Sequence, residues 1–261
     1  MSNVVVSPGP VTEVILNRPA VRNALNTETI QELILRFDEI RTNPAVEVVI
    51  LTGAGDKAFC AGADLAEVKE LQTQDEVRQY FGNMARLIAT LQKLPQPVIG
   101  AAFGYTLAGG MGLAAGVDLL IAADDTRFGL PEVKVGLYPM VVTAPISRLI
   151  GPRRTLELGL TGRMIDVQTA EEWGFVNHVV PKSELMEKAQ DLAQAIRAGS
   201  PVIARLGKEG WRLAQDMEMD QAMETLKNMV SLVALSEDSK EGVAAFLEKR
   251  TPQWPSVQGQ R

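Results

Sequence analysis

Twice in the first half of this chain, a short apolar segment with strand character runs into a loop of small residues. Residues 46–52 lead through Gly53-Ala54-Gly55-Asp56 to Phe59-Cys60-Ala61-Gly62-Ala63-Asp64. Residues 98–103 lead to Gly104-Tyr105-Thr106-Leu107-Ala108-Gly109-Gly110-Met111-Gly112. A further apolar strand at 119–123 precedes Phe128-Gly129-Leu130-Pro131-Glu132. Helical patterns lie between these segments at 65–71, 76–94 and 109–116. Strand, small-residue loop and helix in alternation is the signature of an α/β domain.

The flanking segments fit that frame. Two β-branched runs at 4–6 and 11–16 surround Ser7-Pro8-Gly9-Pro10, which predicts a hairpin. Asn26 stands as N-cap before Leu33, Ile34, Phe37 and Ile40 at helical spacing, and Asn43-Pro44 closes that helix. After residue 140 the pattern changes. Helical segments are expected around 145–150, 153–160, 169–173, 183–198, 201–215, 219–235 and 239–248, with one strand signal at 176–180. The division follows: an α/β core over residues 1–195 and a helical region over 196–261, with Pro252 and Pro255 marking a frayed end.

Composition narrows the function classes. A chain of 261 residues with 46% hydrophobic content can bury a sizeable core. Its net charge of −6 argues against nucleic acid as a partner. An anionic ligand stays possible, because backbone dipoles act locally. Cys60 is the single cysteine, which excludes an internal disulfide and fits a reducing compartment. No apolar run reaches the roughly 20 residues of a membrane span, and the N-terminus lacks a signal-peptide pattern. A cytoplasmic protein without membrane association is expected. The single histidine, His178, leaves almost no material for a Ser-His-Asp triad or a histidine metal site. No Gly-Lys-Ser/Thr follows the glycine run, so it is not a phosphate-binding P-loop.

The small-residue loops admit two readings. They are packing glycines between helix and sheet, or they expose backbone N–H groups to a ligand. Two such donors converging on one oxygen form an oxyanion hole, and loss of a donor from one costs on the order of 10²–10³ in rate. Glu132 likewise has two readings. In apolar surroundings its pKa would rise and it would exchange protons near neutrality; alternatively it is a surface acid paired with Lys134.

Taken in order, these residues resemble the crotonase family, the enoyl-CoA hydratase/isomerase superfamily, over nearly the whole chain. The resemblance is carried by Asn17-Arg18-Pro19 with Arg22-Asn23-Ala24-Leu25-Asn26, then by Phe59 through Leu65, Gly104 through Gly110, and Phe128 through Glu132. Leu160-Thr161-Gly162-Arg163, Ala170 through Val176 and Glu237 through Gly242 follow. It implies a β-β-α superhelix with a C-terminal helical trimerisation region, assembled as a homotrimer or a dimer of trimers. It implies an acyl-CoA substrate and no separate cofactor or metal. Ala63 and Gly109 match the backbone donors to the thioester oxygen, and Glu132 matches the second catalytic glutamate. Arg22, Ala24, Ala61, Asp64 and Leu65 match positions that bind adenine and pantetheine. Phe246 and Lys249 match positions that reach CoA from the C-terminal helix, in some members across a subunit interface. Gly110, Gly112, Pro131, Tyr138 and Met140 fall around the acyl chain.

One departure stands out. Where two-glutamate hydratases carry their first acid, twenty positions before Glu132, this chain has Gly112. Met140-Val141-Val142-Thr143 also replaces a glycine-rich turn common in hydratases. Hydration of a 2-enoyl-CoA, or its reverse, with Glu132 as sole acid–base is the first reading. Double-bond isomerisation is the second. A CoA-ester-binding protein with little activity is the third, from another class.

Overall fold

The computed structural model describes residues 2–258. It begins with an antiparallel hairpin of β1 (Val4–Ser7) and β2 (Val11–Leu16), as the β-branched runs predict. Next come α1 (Thr27–Thr42), β3 (Val48–Gly53), α2 (Leu65–Glu70), α3 (Gln74–Gln92) and β4 (Val98–Ala102). β5 (Tyr105–Leu107), α4 (Gly109–Ala114), β6 (Leu119–Ala123) and β7 (Arg127–Gly129) follow. A 3-10 turn over Pro131–Val135 then carries Glu132. The rest comprises α5 (Met140–Ile150), α6 (Pro152–Thr161), β8 (Met164–Asp166), α7 (Val167–Glu172), β9 (His178–Val180), α8 (Leu185–Arg197), α9 (Pro201–Ala214), α10 (Met219–Ala234), α11 (Glu237–Glu248) and α12 (Pro255–Gln258).

The main sheet has the order β1-β2-β3-β4-β6-β9 and is parallel from β2 onward. β5, β7 and β8 form a second, smaller sheet. The chain alternates between the two. β4 crosses through Phe103-Gly104 to β5, and β6 crosses through Asp124-Asp125-Thr126 to β7. After β3, Ala58 and Cys60 bridge to Gly104 and Thr106 in the same way. A strand in each sheet and then a helix is the β-β-α turn that the resemblance implies. β5, β7 and β8 were not among the expected strands. Each has three residues, too few to show an alternation.

β3 is buried throughout and apolar but for Thr52 and Gly53, because both faces of the main sheet are covered. Val49 and Leu51 join the large core with Phe37, Phe59, Tyr80 and Phe128. Val48 and Ile50 point the other way, toward Leu185, Ala189 and Ala193 of α8. Asn26 caps α1 by accepting from the Thr29 amide at 2.9 Å. Thr73 and Glu76 form a capping box on α3.

α8 still packs on the main sheet, and a break at Ala198–Ser200 separates it from α9. Over the described residues, the segment around Pro252 and Pro255 is not frayed as expected; residues 259–261 lie outside the described residues. Buried Asp238 accepts from Ser200 Oγ at 2.5 Å and from the Ser256 amide at 2.9 Å. The Trp254 indole donates to the Ala198 carbonyl at 3.3 Å, and its ring lies over Gly242. The two prolines turn the chain back onto α9 and α11 instead of releasing it. Among the described residues, no helix is long and apolar enough to cross a membrane.

Candidate active site

The two small-residue loops meet. A Cβ on Gly62 would stand 2.5 Å from Ala108 Cβ and 3.1 Å from the Gly109 nitrogen. Gly62 has φ +99°, a conformation that glycine adopts without strain. Ala108 has φ +53°, which an alanine holds at a cost of about 1–3 kcal/mol. Each of these residues immediately precedes a donor, so a positive-φ turn aims each of the Ala63 and Gly109 amides. The neighbouring groups are spent: Leu25 donates to the Gly62 carbonyl at 2.8 Å, Asp64 to Leu25 at 3.1 Å, and Ala108 to Gly129 at 2.9 Å. The Ala63 and Gly109 amides donate to nothing among the described residues. Gly110 completes the seat: a Cβ there would lie 2.1 Å from the Cys60 carbonyl oxygen, so only glycine lets α4 settle on that segment.

Glu132 lies just after Pro131, whose fixed φ starts the 3-10 turn. Its Oε2 is buried without a hydrogen-bond partner among the described residues. Burial pushes the carboxyl up to about 7, opposed only weakly by a bond from its own amide. The pairing with Lys134 does not form. The Lys134 stem instead runs along Gly162, with Cε 3.0 Å from where a Cβ would stand. Cys60, the single cysteine, is fully buried, and burial pushes its thiol up to about 12, which disfavours a reactive thiolate.

Ala63, Gly109 and Glu132 line one cavity of about 560 Å³. Its remaining wall is mostly apolar, with Leu65, Phe81, Met84, Leu137, Val141 and Val142 prominent and Lys134 and Tyr138 its polar members. A carboxyl with one unpartnered oxygen and a pKa near neutrality and two unused N–H donors thus share one mostly apolar cavity. Such an arrangement can hold a carbonyl oxygen, stabilise negative charge on it, and move a proton beside it.

A family model described as enoyl-CoA hydratase/isomerase matches residues 7–257. The chain belongs to the enoyl-CoA hydratase/isomerase family. It is similar to the short-chain-enoyl-CoA hydratase of Clostridium acetobutylicum, at 37% identity over 96% of each chain. It is 36% identical to the carnitinyl-CoA dehydratase of Proteus mirabilis, over 94% of this chain and 95% of that one. Among solved structures, an enoyl-CoA hydratase from Bacillus anthracis superposes with a TM-score of 0.93 at 36% identity, covering 97% of this chain and 99% of that one. The fold is therefore that of the crotonases, and the chain is an enzyme of this family.

Within this crotonase the expected residues separate into groups. Ala61, Ala63, Leu65, Gly109, Pro131, Glu132, Tyr138 and Met140 line the cavity. Arg22, Ala24, Asp64, Gly110 and Gly112 do not. The Arg22 carbonyl accepts from the Ala61 amide at 3.0 Å, and its guanidinium stacks 5.3 Å above exposed Tyr105, which is likewise no part of the wall. Asp64 is committed to an ion pair with Arg18 at 2.9 Å and to the cap of α2. The same Arg18 donates to the Ala24 carbonyl at 2.6 Å. Phe246 and Lys249 sit on and after α11, which packs on α9, α10 and α12; within one chain they are not brought to the cavity. Tyr138 packs its hydroxyl against Gly159 of α6, away from a proton-transfer role. Gly112 is not an open gap. The Val142 side chain fills the space where a side chain at 112 would stand. Phe81, Met84, Lys134 and Val142 were not singled out from sequence as wall residues. Met84 shares the buried face of α3 with Tyr80, Leu87, Ile88 and Leu91, a spacing that marks a core position and does not by itself mark a cavity wall.

Proposed function

We propose that this protein interconverts a 2-enoyl-CoA and its hydrated 3-hydroxyacyl-CoA, with Glu132 as its only acid–base group. The observation that carries this reading is Glu132, one carboxyl oxygen buried without a partner, in the same mostly apolar cavity as the two unused amides of Ala63 and Gly109. In the hydration direction the thioester oxygen rests between those amides. Ionised Glu132 takes a proton from water as its oxygen bonds to the β-carbon, and negative charge moves to the thioester oxygen. The same carboxyl then delivers the proton to the α-carbon. The amides bind the enolate more strongly than the neutral thioester, which is where the rate gain arises. The hydratase and dehydratase relatives, at 36–37% identity, support the reaction class.

CoA serves as part of the substrate, and the reading needs no metal or cofactor. Arg22, Ala24 and Asp64 contact the adenine and pantetheine outside the acyl cavity, and Ala61 and Leu65 do so from its wall. Phe246 and Lys249 reach CoA from a neighbouring subunit. A homotrimer, alone or paired, supplies that neighbour, and the exposed apolar side chains of α10 and α11 support it. Double-bond isomerisation is the second reading, favoured by the apolar Val142 at the place of a second acid.

The test is incubation with 2-enoyl-CoA and 3-enoyl-CoA panels in ¹⁸O-labelled water, read by mass spectrometry. Label at the β-carbon supports hydration. A shifted double bond without label would overturn it in favour of isomerisation.

A further inference from the structure

Gly112 and Val142 form an interlocked pair. Gly112 lies one turn beyond Gly109 on α4, on the same face of the helix. A Cβ on Gly112 would stand 2.3 Å from Val142 Cγ1 and 2.9 Å from Val142 Cβ, with Ile88 Cδ1 at 3.1 Å. Val142 is buried in the first turn of α5 and lines the cavity. A β-branched side chain in a helix has one strongly preferred rotamer, so it does not swing aside to admit a neighbour. Its methyl group therefore stands against α4 one turn beyond Gly109. Val142, Gly109 and Glu132 line the same cavity, so an acyl group whose thioester oxygen rests on the Gly109 amide shares that cavity with the methyl group.

A methyl group there offers nothing to hold a water, which needs about 2–4 polar neighbours in a cavity. We infer that Val142 shields the acyl carbons next to the thioester from water on the α4 side and sets how the enzyme divides between proton exchange and water addition. The inference rests on the acyl-CoA reading above. Exchange needs Glu132 as its only acid–base group: its carboxylate takes a proton from the α-carbon, the C–H electron pair becomes the enolate, the carboxyl exchanges that proton with solvent, and it then returns a solvent-derived one to the α-carbon. Water addition also needs a new C–O bond at the β-carbon, on a face that Val142 narrows.

Two rates measured on the same enzyme test this. Deuterium uptake at the α-carbon of butanoyl-CoA in D₂O reads exchange, and ¹⁸O uptake by but-2-enoyl-CoA reads hydration. In Val142→Ala and Val142→Gly, the hydration-to-exchange ratio is expected to rise on the order of tenfold, the scale at which a pocket methyl group or two discriminates. A ratio unmoved in both folded variants overturns the inference. Melting temperatures test the interlock without activity: Gly112→Ala should lower the Tm, and the loss should shrink when Val142 is also Ala or Gly. Strictly additive shifts would overturn the interlock. A wild type that neither exchanges nor hydrates would instead overturn the acyl-CoA reading, and the shielding role with it.

Discussion

At the scale of single residues, the chemistry concentrates on Glu132. A carboxyl raised from 4.5 to about 7 by burial is more protonated in the folded than in the unfolded protein between those values. The folded state therefore loses stability as pH rises from about 4.5 through 7, and the full penalty, on the order of 3 kcal/mol, is present above 7. Glu132→Gln is expected to raise the Tm at pH 8 and to flatten its dependence on pH across this window. A thermal-melt series at several pH values reads both effects. Activity runs the opposite way. Hydration needs the ionised base, so kcat/KM should rise with pH and level off above about 7. A profile levelling off near pH 4.5 would show that Glu132 is not buried as described. That an acid at this place would matter was legible in the motif around Pro131. Its environment was not, because the pairing with Lys134 was equally consistent with the sequence, and only the fold sends that lysine along Gly162.

At the scale of elements, the catalytic loops depend on two positive-φ turns held against each other. Gly62→Ala would place a methyl group 2.5 Å from Ala108 Cβ at φ +99° and would turn the Ala63 amide away. Its kcat is expected to fall on the order of 10²–10³-fold, as for loss of one oxyanion donor. KM should change less, because the interaction matures in the transition state. Steady-state kinetics on the folded variant reads this split; an unchanged kcat would remove Ala63 from its role. The long elements were legible because capping residues and apolar periodicity agree, as with Asn26 before α1 and Pro95 after α3. The three-residue strands β5, β7 and β8 were not, since so short a run carries no period. Gly112 was legible as a missing acid. Its filling by Val142 was not, because the two are distant in sequence and meet only where α4 packs against α5.

At the scale of the whole molecule, the C-terminal helices hold together through Asp238, Ser200, Ser256 and Trp254 yet leave a broad apolar face uncovered. Leu232 and Leu235 are each 73% exposed and Phe246 is 83% exposed. Such a surface marks association, and sedimentation of the wild type should show trimers or hexamers. Leu232→Asp with Leu235→Asp should shift the population toward monomer, whereas a wild type sedimenting only as monomer would contradict the assembly. The proposed reaction itself rests on Glu132 acting on a thioester held by backbone amides. The most direct measurement pairs calorimetric binding of a non-reacting acyl-CoA with turnover of a 2-enoyl-CoA, for wild type and Glu132→Gln. Binding close to wild type is expected, with turnover lower on the order of 10²–10⁴-fold. A Glu132→Gln variant that binds the ester and still turns over at the wild-type rate would contradict it.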